Sequence, residues 1–360
     1  MEILYLLILY ILVSVISIFF LRKHVYIIIS LVPCMMVLSN ILGSAKILSM
    51  PLNLSVPAGI IPYMVSFFLI DVLNEFYGEK RAKEAVIAGI IAIGISIFLI
   101  TIAWLWQPSV FTTEEKFVAF ERVFSLAPRL FFASLLSFGV SSYLNIVIFK
   151  WIKNRTGMSF LWLRENLSTI TSVLASNLIF IPLGYFGTGY PVLNMIFGHT
   201  VAQTAIALLD TPFIYTVSHF YHRQLISEIK NKIKNGSSFV AIKNGDIFES
   251  KERRLKPFTD AIENFDLKDS YMGDKFVGKS SALLASHALP SLIYTPSITK
   301  EALKILNRNK IRVVYEKEIS RMKKCEYDKL LNGTYSPKEA YEKIRAYEKE
   351  IERNQDGRVE

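Results

Sequence analysis

The chain has little cysteine, and its first 222 residues have little charge. Two cysteines occur among 360 residues, Cys34 in an apolar run and Cys325 in a charged one, so no disulfide framework is indicated. Residues 1–222 hold 13 Lys and Arg and 10 Asp and Glu, whereas the shorter remainder holds 28 and 21. A soluble domain carries about 25% charged residues. The charged fraction of residues 1–222 is far lower, which excludes an ordinary soluble domain before Arg223. The sequence predicts a membrane part followed by a soluble tail.

Seven apolar runs are long enough to cross a bilayer as helices, which takes about 20 residues each. The first run has the position of a signal peptide, but Arg22 and Lys23 follow it instead of preceding it. We therefore predict a retained span with its N-terminus outside the cell. The fold expected for this part is a polytopic α-helical membrane bundle. The predicted spans are 2–21, 25–44, 56–76, 84–106, 129–150, 167–187 and 193–219.

The distribution of basic residues predicts the orientation of these spans. The loops on one side hold nine Lys and Arg, and those on the other side hold four. Cytoplasmic loops carry the excess of basic residues, so the first side and the tail are predicted to be cytoplasmic, in a plasma or inner membrane. The nine residues are Arg22, Lys23, Lys80, Arg81, Lys83, Lys150, Lys153, Arg155 and Arg164.

The third span ends in an unusual group of polar residues. Asp71, Asn74 and Glu75 follow an i, i+3, i+4 spacing, which places them on one helical face. A charge near the centre of a bilayer costs about 2.5–3.5 kcal/mol on insertion scales, so it is seldom there without a role. An alternative is a cytoplasmic helix end with surface ion pairs, which suits Glu79 and Lys83. For Asp71 we predict a position facing the bundle interior.

The last span carries a polar stripe as well. His199, Gln203 and Asp210 recur at helical spacing, and Pro212 after Asp210 predicts a break or kink in the helix. Single polar residues in a span commonly serve helix packing, but stripes in four spans indicate the lining of a polar path for a small molecule. The other stripes hold Ser134, Ser137, Ser141 and Asn145 in the fifth span, and Arg164, Asn166, Ser168, Ser172, Ser176 and Asn177 in the sixth.

Three segments of the membrane part resemble a known family. The segments "LIDVLNEFYGEKRAKEAV", "LWLRENLSTITS" and "ALLDTPFIY" are similar to the signature segments of queuosine precursor transporters, also called the putative vitamin uptake family. The resemblance covers residues 25–220. It implies import of 7-deazaguanine bases for tRNA modification, such as 7-cyano- or 7-aminomethyl-7-deazaguanine or queuine. The chain departs from the family in its extra first span and in Asn177, where many relatives carry an acid.

The chemistry of such a base suits the polar residues of the spans. A deazaguanine presents an N–H and an amine side by side, and one carboxylate accepts such a pair by charge-assisted hydrogen bonds. The carboxylates of Asp71, Glu75 and Asp210 are the expected acceptors. Aromatic residues expected to stack on the ring are Phe67, Phe68, Tyr77 and Tyr215. The full set predicted to bind substrate is Asp71, Asn74, Glu75, Arg164, Asn166, Ser168, Asn177, His199, Gln203 and Asp210.

The tail alternates strand and helix patterns, which predicts one small α/β domain. "FVAIKNGDIFES" indicates a hairpin around Asn244-Gly245. Helices are expected near 257–266 and at "KSSALLASHAL", and strands at "DKFVG", "SLIYT" and "IRVVYE". The predicted organisation is a membrane domain over 1–222, a linker helix over 223–237, an α/β domain over 238–335 and a charged helix over 336–360.

The segment Gly273–Ser280 matches the phosphate-loop pattern G-x-x-x-x-G-K-S, but the sequence before it is a poor strand, so ATP hydrolysis is not predicted. "DKFVGKSSALL", "LIYTPSITKEAL" and "CEYDKLL" together resemble an uncharacterised domain with a cytidine-deaminase-like fold. The zinc ligands of deaminases are missing at the matching places, so no metal site is predicted. Two helix N-termini with Lys279 suit a phosphate or nucleotide. The residues predicted to bind this ligand are Lys275, Gly278, Lys279, Ser280 and Cys325.

Three classes of function remain open from the sequence. The first is a transporter with a cytosolic domain that senses or processes the imported base; the second is a membrane-anchored base or nucleotide sensor or enzyme. The third is the binding subunit of a larger uptake machine powered by a separate ATPase. Buried acids favour transport, since an anchor needs none. No catalytic residue or cofactor is predicted, and the expected partners are a purine-like base, the lipid bilayer, and further copies or energy-coupling subunits, without direct nucleic-acid contact.

Overall fold

A computed structural model describes residues 2–22, 24–50, 54–125, 127–156, 160–320, 326–334 and 336–356. Its contacts divide the chain into two compact units, Met1–Phe220 and Tyr221–Glu360. The first unit is helical apart from a short antiparallel pair of strands, and the second is built around a sheet.

The described residues of the first unit form seven helices and one strand pair. Among the described residues, the stretches that are long and apolar enough to cross a membrane are Val25–Ala45, Ile60–Leu105, Glu114–Thr156, Leu161–Tyr185 and Val192–Lys234, with a shorter apolar helix over Tyr5–Phe20. The multi-pass helical character is confirmed, and the count of seven spans stays a prediction. The elements are α1 (Glu2–Phe20), α2 (Val25–Ala45), β1 (Ile47–Met50), β2 (Leu54–Pro57), α3 (Ile60–Leu105), α4 (Glu114–Phe124), α5 (Ala127–Thr156), α6 (Leu161–Tyr185) and α7 (Val192–Lys234).

Helix α3 reverses direction at Gly78, which has φ 75° and ψ 178° and so interrupts the helical backbone. Ser66 donates to the sulfur of Met36 at 3.3 Å, and a Cβ placed on Gly89 would lie 3.7 Å from Cγ of the same Met36. In one straight helix Ser66 and Gly89 would be about 35 Å apart, at 1.5 Å per residue, and could not both contact Met36. The chain therefore crosses the bundle twice, and a glycine occupies the turn because its backbone conformation is open mainly to glycine.

Two predicted boundaries in this unit differ from the structure. The third span was expected from residue 56, but β2 occupies Leu54–Pro57 and the helix begins at Ile60. Of the break or kink expected at Pro212, the break is absent, because α7 is helical through this residue to Lys234, beyond the end of the predicted span; the kink stays a prediction. A proline inside a helix leaves one carbonyl without its donor, but it does not by itself end the helix when packing holds the turn.

The second unit has a five-stranded sheet in the order β4-β3-β5-β6-β7. The predicted hairpin is confirmed: β3 and β4 pair antiparallel, and Asn244 and Gly245 have φ of 52° and 92°. Strands β5, β6 and β7 are parallel. The elements are β3 (Phe239–Lys243), β4 (Asp246–Ser250), α8 (Lys256–Asn264), β5 (Tyr271–Asp274), α9 (Lys279–Ala288), β6 (Leu292–Thr299), α10 (Lys300–Arg308), β7 (Arg312–Ile319), α11 (Glu326–Leu330) and α12 (Pro337–Asp356).

The sheet is covered by helices on both faces. Met272 and Ile293 belong to the core shared with residues of α8, α9, α10 and α12. Neighbouring residues of a strand point to opposite faces, and a Cβ on Gly273 would lie 2.2 Å from Cγ2 of Ile229 in α7. The end of α7 therefore packs on the face opposite the core, and only glycine leaves room for it there.

The position of β5 corrects one prediction. The strand was expected at "DKFVG", but it comprises Tyr271–Asp274. Gly273, the first glycine of the phosphate-loop pattern, is thus inside the sheet, paired with Val240 and Tyr294. A strand residue held in two ladders cannot belong to a loop that wraps a phosphate.

Candidate functional site

Buried polar side chains of the membrane bundle form three successive groups along α6. We call them the ion-pair layer, around Arg164; the carboxyl layer, around Glu165; and the amide layer, around Asn177. Each layer joins α6 to residues of α3, α5 or α7. The residues within a layer are far apart in sequence and meet only across helix interfaces.

The ion-pair layer consists of Glu75, Arg164 and Lys153. Arg164 Nε lies 3.0 Å from Glu75 Oε2 and Nη2 lies 2.7 Å from Oε1, while Lys153 Nζ lies 3.2 Å from Oε2. The side chains of Arg164 and Glu75 are 1% and 3% exposed. This two-point geometry is the strong form of an arginine–carboxylate pair. Glu75 and Arg164, both predicted to bind substrate, are brought together but bind each other.

The carboxyl layer holds Asp71, Glu165 and Asp210, all buried. Asp71 Oδ1 accepts from Asn145 at 2.6 Å, and Oδ2 accepts from Thr169 at 3.0 Å. These bonds occupy both oxygens of Asp71. A bundle-facing Asp71 was predicted, and its burial among α5 and α6 matches that position.

Glu165 and Asp210 interact directly across the interface of α6 and α7. Glu165 Oε2 accepts from Thr211 at 2.9 Å and from Asn166 at 3.1 Å, and the Tyr10 hydroxyl lies 3.5 Å from Asp210 Oδ2. Asp210 Oδ1 and the side-chain oxygens of Asn145 and Asn166 have no donor within the described residues. The layer therefore offers more acceptors than donors.

The amide layer is centred on Asn177. Its Nδ2 donates to Gln203 Oε1 at 2.8 Å and to Thr200 at 2.9 Å, and its Oδ1 lies 3.1 Å from His199 Nδ1. With Oδ1 as the acceptor, Nδ1 carries the histidine proton and Nε2 is an acceptor. His199 Nε2 is buried and has no partner among the described residues. Nearby, the Tyr63 hydroxyl lies 2.7 Å from the Ser176 hydroxyl.

A cavity opens directly on the amide layer. Its empty volume, which includes open solvent, is about 460 Å³. His199 lines this cavity, and its Nε2 is a buried acceptor without a partner among the described residues; a buried polar atom left in that state costs free energy. The lining residues are Ser39, Asn40, Gly43, Ser44, Pro57, Gly59, Ile60, Tyr63, Leu130, Ser134, Ser137, Ser176, Asn177, Phe180, His199 and Gln203.

The cavity gathers three of the predicted substrate residues and leaves out the rest. Asn177, His199 and Gln203 line it. Asn74 donates to the Ile146 carbonyl at 3.3 Å and Ser168 to the Glu165 carbonyl at 3.1 Å, so both serve helix contacts. The remaining predicted residues, Asp71, Glu75, Arg164, Asn166 and Asp210, belong to the other two layers.

Sequence reasoning overlooked Glu165 and Tyr63. Glu165 stands beside Arg164 in "LREN", and an acid at that depth was a signal of the same kind as Asp71. Tyr63 is a buried tyrosine in an apolar segment, which no pattern distinguishes from a core residue. The aromatic rings at the cavity are those of Tyr63 and Phe180, whereas the predicted stacking residues Phe67 and Phe68 are buried in the core and do not line the cavity.

The second unit has a separate, larger cavity, with an empty volume of about 1,310 Å³ including open solvent. Three of the residues predicted to bind a tail ligand line it: Lys275, Gly278 and Ser280. Lys279 points elsewhere: its Nζ lies 3.4 Å from the Leu331 carbonyl and 3.8 Å from Glu301. Cys325 lies outside the described residues.

Comparisons with known proteins give separate matches for the membrane part and for the tail. Residues 57–217 match the family described as "Putative vitamin uptake transporter", and residues 228–347 match a domain of unknown function, DUF1893. A curated relative from Bacillus subtilis (strain 168), the "Probable queuosine precursor transporter", is 30% identical over 167 residues, covering 45% of this chain and 72% of the relative. A solved DUF1893-family protein from Thermotoga maritima is 29% identical over 34% of this chain and 88% of its own, with a TM-score of 0.32.

Proposed function

We propose that this chain, which belongs to the "Putative vitamin uptake transporter" family, imports a 7-deazaguanine base that serves as a precursor of queuosine in tRNA. The observation that carries the proposal is the cavity on the amide layer, where His199 Nε2 is a buried acceptor without a donor. A cavity lined by buried polar side chains supports transport over an anchor, because an anchor needs none.

The amide layer suits a flat base with N–H groups on its edge. His199 Nε2 accepts one N–H, and the amide of Gln203 provides further hydrogen-bonding capacity beside it. Asn177 holds both side chains in place through its own bonds. Tyr63 and Phe180 provide aromatic surface for the ring. Buried polar groups left unpaired by the wrong ligand cost about 1–3 kcal/mol each, which makes such a wall selective.

The other two layers then lie on the route to the cytoplasm. In the proposed orientation, with the N-terminus outside and the tail cytoplasmic, the cavity faces outward and the Glu75–Arg164 ion pair is at the cytoplasmic end. The carboxyl layer lies between them and offers unpaired acceptors to the passing base. The ion pair acts as an inner closure of the bundle.

Uptake of a labelled 7-deazaguanine base by cells that cannot synthesise one tests this proposal. His199→Phe and Gln203→Leu each remove one hydrogen bond of about 1 kcal/mol to the substrate, so KM rises about fivefold in each variant. Asn194→Ala is the matched control, because Asn194 is an exposed residue on the same helix. Unchanged KM in both cavity variants would place the substrate elsewhere.

A truncated chain of residues 1–224 tests the membrane domain without the tail. Uptake by both residues 1–224 and the full chain supports transport by the membrane domain, with the tail as accessory. Loss of uptake in both, with normal membrane expression, would favour the alternative of a membrane-anchored sensor or enzyme.

For the tail we propose a cytosolic ligand-binding or processing domain with a deaminase-like arrangement of layers that lacks the zinc chemistry of deaminases. Its parallel strands β5 and β6, each followed by a helix, support this arrangement. The proposed domain limits are 1–222, 223–237, 238–335 and 336–360. Energy coupling through partner subunits remains a further proposal for the complete transporter.

A further inference from the structure

The large cavity of the second unit has a strongly basic mouth. Lys251, Arg253, Arg254 and Lys275 line it, against the two acids Glu252 and Asp274. Within the part of the chain that the structure describes, none of these four basic residues forms an ion pair with a carboxylate. Arg254 has φ 67°, in the left-handed region that costs a non-glycine residue free energy. Strained backbone of this kind concentrates at ligand sites, and four exposed cations at one mouth attract an anion.

One of the two lining acids, Asp274, is less exposed than the four basic residues. Asp274 ends β5, and its Oδ1 accepts the backbone N–H of Phe276 at 3.2 Å. Ser281 in the first turn of α9 donates to the same side chain, and burial raises the pKa of Asp274 to about 7. A carboxylate has about four acceptor positions, so two remain for a ligand. Among the described residues no basic side chain forms an ion pair with Asp274, so a pair of neutral N–H donors is the partner that suits it.

Aromatic side chains also line the cavity. Phe258, Phe276 and Tyr327 line the cavity, with Leu255 and Pro257 completing the apolar surface. The lining therefore has apolar surface for a flat ring, a carboxyl group for its edge and basic residues for a charged substituent. The arrangement combines an acceptor for N–H groups, an apolar slot and an anion site.

We infer that this cavity binds a nucleoside phosphate whose base presents two neighbouring N–H donors, as guanine and 7-deazaguanine do. The base edge bonds to Asp274, and the phosphate lies against Arg253, Arg254 and Lys275. The inference rests on the second unit alone, so it is independent of the transport proposal.

Equilibrium dialysis of the purified full-length protein against GMP, AMP, guanosine and inorganic phosphate at pH 8 tests the inference. GMP should bind at least tenfold more tightly than AMP, because adenine offers an acceptor where guanine offers an N–H. It should also bind at least tenfold more tightly than guanosine, which lacks the phosphate. Equal binding of GMP and phosphate, or of GMP and AMP, would overturn the inference. These comparisons need no variant, so they do not depend on a mutant's folding.

Variants then assign the two ends of the ligand. Asp274→Asn should abolish the preference for GMP over AMP while leaving phosphate-dependent binding, and Arg253→Gln with Arg254→Gln should weaken GMP and AMP equally. Lys304→Gln, an exposed basic residue of α10 outside the cavity, is the matched control. Lowering the pH from 8 to 6.5 protonates Asp274 and should reduce the GMP-to-AMP ratio; AMP corrects for titration of the phosphate. A preference for GMP that survives in Asp274→Asn would refute the assignment of Asp274.

Discussion

The buried Glu75–Arg164 pair allows a decisive substitution. In Glu75→Gln the side chain keeps its size, but the guanidinium of Arg164, 1% exposed, and the ammonium of Lys153 lose their counter-charge. Removing one partner of a buried pair costs about 3–5 kcal/mol, because the other charge stays buried without the charge that it was paired with. At 1.4 kcal/mol per factor of ten, the folded-to-unfolded ratio should fall by roughly a hundredfold to a few thousandfold.

The same chain provides a matched control at the surface. Glu79 pairs with Lys83 and Lys150, whose side chains are 41% and 54% exposed. Exposed pairs contribute about 0–1 kcal/mol, so Glu79→Gln should cost little. The double substitution Glu75→Gln with Arg164→Gln should recover part of the loss, since both charges are then gone and the two amides can bond.

Equilibrium unfolding of the purified protein in detergent, followed by far-ultraviolet circular dichroism, measures these differences. A loss for Glu75→Gln no larger than for Glu79→Gln would refute the reasoning. A normal stability combined with a raised KM for uptake would instead show that Glu75 serves the substrate, as the sequence predicted.

Two further predictions concern the second unit. In Gly273→Ala the new methyl group would meet Ile229 Cγ2 at 2.2 Å, and overpacking of this kind costs about 1–3 kcal/mol. Hydrogen exchange of the β5 amides should therefore accelerate in this variant. The added substitution Ile229→Ala should restore protection, and a failure to do so would contradict this packing of α7. The pKa of Asp274 is about 7 in the folded protein, above its unfolded value of about 3.9, so the folded state binds the extra proton and the free energy of unfolding falls as pH rises from 4 to 7. One titrating group contributes at most about 1.4 kcal/mol per pH unit; Asp274→Asn should flatten this slope in denaturant melts at pH 5 and pH 8, and an unchanged slope would contradict the assignment.

The sequence by itself determined the division into an apolar helical part and an α/β tail, because apolar run length and charge density are local properties of a chain. It also determined which residues share a helical face: Asp71, Asn74 and Glu75 are all buried on the same segment of α3. The hairpin at Asn244-Gly245 followed from turn chemistry, which depends on two residues alone.

The tertiary structure decided which partner each polar side chain takes. Glu75 meets Arg164 across 89 positions, and Asp71 meets Asn145 and Thr169. The relative offset of packed helices fixes these pairs, and periodicity within one helix contains no information about that offset. For the same reason the acids predicted to receive the substrate form their own layers, and the cavity is lined by Asn177, His199 and Gln203 instead. A stripe shows which side chains point inward, but only the facing helix decides whether an inward side chain is left free to bind a ligand.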